Sequence, residues 1–154
     1  MQRRPAFLGG VISDHLIRAD NFLGRLVAWA EPREDVRALL VVGSFARAEA
    51  RPDSDIDVVL LTLDPTVFVN DTAWVRALGD VSSCQLEHYG QVTSLRTYFR
   101  DGLEAELTVA RTDWARRPLD SGTIRVARDG TQVLFDRDGD ARQLAADVRR
   151  PTSC

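Results

Sequence analysis

The sequence contains no lysine: all 20 of its basic residues are arginine. That absence excludes a Schiff-base lysine and the lysine of a Walker phosphate loop. An excess of positive charge is missing too, because 23 Asp and Glu outweigh the arginines and leave a formal net charge of −3. A chain of that balance has no electrostatic grip on nucleic acid, which is therefore not among its expected partners. Cysteine is scarce; Cys84 and Cys154 read as reduced thiols, since a chain of 154 residues needs no disulfide staple. No apolar run approaches the ~20 residues of a membrane span. The Met1-Gln2-Arg3-Arg4-Pro5 start has no adjoining apolar block or small-residue cleavage site. The expectation is a cytoplasmic protein without membrane contact.

What is present fits one domain over residues 1–154, with a core over about 11–110 and C-terminal strands and a helix over about 120–148. Apolar residues recur at helical spacing over 11–30, between Gly9-Gly10 and Pro32. Residues 36–42 form a short branched apolar run that predicts a buried strand ending at Gly43-Ser44. A short helix is expected over 45–50, opening at Ser44 and stopped by Pro52. A second strand is predicted over 55–61, and a helix over 72–78 that ends at Gly79. Residues 81–88 and 92–99 read as paired strands, and 103–110 as another after the Asp101-Gly102 turn. Strands at 123–127 and 132–135 around Asp129-Gly130, then a helix at 141–148, complete the reading. This order implies an α+β fold, a mixed β-sheet flanked by helices.

The chemistry concentrates at one junction. Asp55 and Asp57 lie two apart in the second strand, so both carboxylates project from the same face. Alone, an Asp-x-Asp is equally an exposed strand start. Here the apolar wall Val58-Val59-Leu60-Leu61 follows it, and acids at the entry of a buried strand call for a cation. Gly43 permits close backbone approach and Ser44 adds a hydroxyl, the makings of a phosphate-binding turn.

The whole segment from Gly43-Ser44 through Arg47 to Ser54-Asp55-Ile56-Asp57 resembles the signature of the DNA polymerase beta-like nucleotidyltransferase superfamily, and most of all its small bacterial members, including the aminoglycoside-modifying ones. The resemblance covers chiefly residues 36–109 and departs at Ala48, where such proteins often carry Gly. It implies the nucleotidyltransferase fold and a metal site of Asp55, Asp57 and a third carboxylate on a later strand. Glu104 and Glu106 share one face of their strand; Glu106, the deeper of the two, is preferred, and it would double as base for the incoming hydroxyl. Gly43, Ser44, Arg47 and Ser54 would meet the nucleotide. The implied activity is Mg²⁺-dependent transfer, with two ions, of a nucleoside monophosphate from an NTP such as ATP to a hydroxyl, with release of pyrophosphate. The acceptor is left open between a small molecule and a protein. A homodimer or a toxin partner is compatible with the resemblance, as is a non-catalytic, antitoxin-like binding module on the same fold. His15, His88 and the three tryptophans read as structural, and Glu87 has no assignable role.

Overall fold

The computed structural model describes residues 14–47, 54–90, 92–115 and 130–149. Helix α1 runs Asp14–Ala30 and buries Leu16, Ala19, Phe22, Leu23 and Leu26, the stripe that the 3.6-residue period dictates. Strands β1 (Val36–Val42) and β2 (Ile56–Thr62) follow, each buried at nearly every position. A helix absent from the sequence reading, α2 (Pro65–Asn70), comes next. Asp64 caps it by accepting the Thr66 amide at 3.1 Å, and Pro65 takes the first helical position, where a missing N–H costs nothing. Residues Ala73–Leu78 form a 3₁₀ turn rather than an α-helix. The segment is one to two turns long and its ends are fixed from outside: Asp71 accepts the Ala73 amide at 3.0 Å, and Arg25 Nε of α1 donates to the Leu78 carbonyl at 2.7 Å. Strands β3 (Val81–Tyr89), β4 (Val92–Phe99) and β5 (Glu104–Arg111) lead to a short 3₁₀ turn, Thr112–Ala115. Strand β6 (Thr131–Asp136) and helix α3 (Asp140–Arg149) close the described chain.

The six strands make one mixed sheet in the order β3-β4-β5-β2-β1-β6. Every neighbouring pair is antiparallel except β2 with β5, which is parallel. The α+β class and the helix-flanked mixed sheet are thus as expected. One face packs against α1, α2 and the first 3₁₀ turn through a core that includes Phe22, Leu26, Leu39, Val41 and Leu107. The opposite face packs Leu40, Val42, Val59, Leu61 and Ala110 under Leu144 of α3. Trp29 stacks on Trp74 at 4.9 Å and meets Phe68 edge-on, so two of the tryptophans are core filler.

One departure from the sequence reading bears on the site. The expected helix over 45–50 is, in its described part, a single turn closed by Arg47 N–H donating to the Gly43 carbonyl at 3.2 Å. Phe45, 1% exposed, is drawn into the core and fixes that turn. The expected strand over 123–127 and Cys154 lie outside the described residues, whereas Cys84 is a free thiol. No helix of the described residues is long and apolar enough to cross a membrane.

Candidate active site

The side-chain period of two divides β2 cleanly. Ile56, Val58 and Leu60 face the α1 core, and Val59 and Leu61 face the α3 core. Asp57 falls on the α3 side, at the end of the strand that the apolar layer does not reach. The parallel register sets Asp57 directly beside Glu106 of β5. Asp55, Asp57 and Glu106 consequently each offer a carboxylate oxygen, and these oxygens all lie within 4.8 Å of one another. Glu104, the other candidate, is drawn instead into an ion pair with Arg96.

Burial first, then Asp55, then a hydrogen bond and repulsion from Glu106 push the Asp57 carboxyl up to about 8, against the pull of Arg96. Asp57 Oδ1 is buried without a hydrogen-bond partner. A desolvated acid with an orphaned oxygen, crowded by two more, fits a hard cation that would take the open lone pair and offset the charge.

That raised carboxyl has a consequence for stability. An unfolded Asp loses its proton near 4, whereas folded Asp57 keeps it to about 8. Between those values the folded state binds more protons than the unfolded chain, so metal-free stability should fall as pH rises, by at most about 1.4 kcal/mol per pH unit, and level off above. Urea unfolding in chelator at pH 5.5 and 7.5 measures it. Asp57→Asn should flatten the dependence relative to wild type; parallel curves would show that Asp57 titrates normally.

The Gly43-Ser44 turn abuts this cluster. Gly43 has φ +77°, in the left-handed region, and a Cβ there would stand 3.0 Å from Asp57 Oδ2. The turn is braced by Gly130, whose carbonyl accepts the Gly43 amide at 3.2 Å. Gly130 itself has φ +132°, and a Cβ would come within 2.7 Å of Arg47 Cγ and 3.0 Å of the Gly43 carbonyl. Ser44 is half-buried and Arg47 exposed on this turn. The Ser54 carbonyl accepts from His15 Nε2 at 2.7 Å, and the His15 ring faces Phe45 with centroids 6.4 Å apart. Because a carbonyl only accepts, Nε2 must carry the proton. Helix α1 thus holds both ends of the segment that joins the turn to Asp55.

Sequence reasoning missed three contributors. Arg96 of β4 donates from Nε to Glu87 Oε1 at 2.7 Å, pairs with Glu104, and reaches Asp55 Oδ2 and Glu106 Oε2 at 3.4 Å each. Glu87 is fixed on its other oxygen by the Tyr89 hydroxyl, and Tyr89 and Arg96 hold it below the usual carboxylate range. Gly130 is the third. Alternation of β-strand residues foreshadowed none of these, since each joins the site only through the register between strands.

The fold is that of the polymerase beta-like nucleotidyltransferases. Over residues 18–151 the sequence matches the streptomycin adenylyltransferase family, to which the chain belongs. Among solved structures, an aminoglycoside 6-adenyltransferase from Bacillus subtilis is similar, with a TM-score of 0.50 at 18% identity over 68% of this chain. The apo form of a CCA-adding enzyme aligns over 84% of the chain at 14% identity with a TM-score of 0.44. The chain spans 37% and 32%, respectively, of the length of these two structures. No curated protein matches its sequence.

Proposed function

We propose that this domain transfers a nucleoside monophosphate, adenylate in the first instance, from an NTP to a hydroxyl of an aminoglycoside-like acceptor. The observation that carries the reading is the convergence of Asp55, Asp57 and Glu106 against a glycine turn whose close approach leaves no room for a side chain. The family's description and the solved aminoglycoside 6-adenyltransferase favour adenylate and a cationic, polyhydroxylated acceptor.

Asp55, Asp57 and Glu106 would hold divalent metal, Mg²⁺ by the chemistry of an all-carboxylate donor set. When bound, the metal neutralises charge on the triphosphate oxygens. The chain's own groups do the rest. Ser44 and the amides after it would receive the phosphates, the Gly43 amide being committed to Gly130. Arg47 and Ser54 flank that turn, and a guanidinium there matches phosphate oxygens. Glu106 would take the proton of the acceptor hydroxyl as its oxygen attacks the α-phosphorus. The bond from that phosphorus to the bridging oxygen of the β-phosphate then breaks and pyrophosphate leaves.

Titrating ATP, CTP and GTP calorimetrically with and without Mg²⁺ tests binding. Pyrophosphate release and the acceptor's mass gain, with streptomycin heading a panel of aminoglycosides, test turnover. Mg²⁺-dependent ATP binding with an adenylylated product is the expected result. Nucleotide binding with no product for any acceptor would overturn catalysis in favour of a binding module, and no binding would overturn the whole reading.

A further inference from the structure

Arg96 stands at the centre of the polar sheet face. In register it lies between Gln85 of β3 and Glu106 of β5, and Glu106 in turn lies beside Asp57 of β2. Its guanidinium, about a quarter exposed, divides its contacts unequally. On the outer side, toward β3, it binds Glu87 through Nε at 2.7 Å, while Nη1 pairs with Glu104 of β5 on the inner side. On the inner side it reaches Asp55 and Glu106, both members of the proposed metal site, at 3.4 Å. The outer anchor is rigid, because both Glu87 oxygens are engaged, one by Arg96 and one by the Tyr89 hydroxyl.

A guanidinium is charged at every accessible pH, so these inner contacts act as a resident positive charge on the carboxylates. A cation entering among Asp55, Asp57 and Glu106 competes with that charge for the same oxygens and repels it. The tighter outer contact with Glu87 gives Arg96 somewhere to go without unfolding.

Resting on the metal-dependent reading above, we infer that Arg96 is a positioning residue: it holds Asp55 and Glu106 in the metal-free protein and withdraws toward Glu87 as a divalent cation binds. Arg96 thereby sets the cation concentration at which the site fills. Removing its charge should strengthen metal binding, and weakening its outer anchor should weaken it. A group with a merely structural role would, on removal, loosen the carboxylates and weaken binding.

Mn²⁺ binding by the full chain, followed by electron paramagnetic resonance and calorimetry without nucleotide, separates these. Arg96→Met should bind Mn²⁺ about threefold to tenfold more tightly than wild type, the scale of a partly screened charge several ångströms away. Arg96→Lys, which keeps the charge, should stay near wild type, and Glu87→Gln should bind about twofold to threefold more weakly. The metal-free Arg96→Met protein should melt lower than wild type and be raised further by Mn²⁺. Equal or weaker Mn²⁺ binding by folded Arg96→Met would overturn the inference while leaving the metal site standing. Should that variant fail to fold, Glu87→Gln decides, and binding equal to or tighter than wild type would overturn it. Wild type that binds no Mn²⁺ would overturn the metal-dependent reading itself, and this inference with it.

Discussion

Asp57→Asn is expected to lower kcat/KM for nucleotidyl transfer by about 10³-fold or more while raising the stability of the metal-free protein at pH 7.5. The two effects have one origin. Asp57 is half-buried, hydrogen-bonded to Glu106, and presents a buried oxygen without a partner. At pH 7.5 the unfolded Asp is ionised while folded Asp57 must take up a proton, so a neutral isostere removes that cost. The same substitution removes the central oxygen of the proposed metal site, and the developing charge at the α-phosphorus loses its compensation. Pyrophosphate release measured beside urea unfolding in chelator reads both. Loss of activity with an equal loss of stability would mean that Asp57 is a strut; full activity would remove it from the site.

Gly43→Ala is expected to have the next largest effect, reducing activity about 10²-fold and stability by roughly 1–3 kcal/mol. The backbone at φ +77° disfavours any side chain, and the added methyl would stand 3.0 Å from Asp57 Oδ2. That contact can be relieved only by moving the carboxylate or the turn, and the turn is held by the Gly130 carbonyl and the Arg47 amide. The damage should therefore fall on metal and nucleotide affinity together. Mn²⁺ affinity of this variant, compared with wild type, shows it: unchanged affinity would mean that the turn yields and Asp57 does not.

How much of this was readable in advance follows from distance along the chain. The β1 turn and the Asp-x-Asp lie within one local segment, so Gly43, Ser44, Asp55 and Asp57 stood out from spacing alone. Glu106 and Glu104 are alike by alternation, and only the parallel register beside Asp57 draws one to the cluster and leaves the other to Arg96. Arg96, Glu87 and Gly130 carried no local signal, because each gains its place from strand pairing across the sheet. Helix α2 was different: Asp64-Pro65 is a cap and first-turn pair that could have been read, and the apolar count around it was too short to draw notice. In its described part the short helix expected after Ser44 is a turn, where the tertiary pull on Phe45 outweighs alanine-rich helix propensity.

The lone parallel pair in an otherwise antiparallel sheet also governs when the site comes into being. Hairpins such as β3 with β4 close over a few residues, but β2 and β5 meet only after about fifty intervening residues have been brought round. Glu106 therefore joins Asp55 and Asp57 only when that closure is made, and any excursion that parts β2 from β5 disperses the cluster at once.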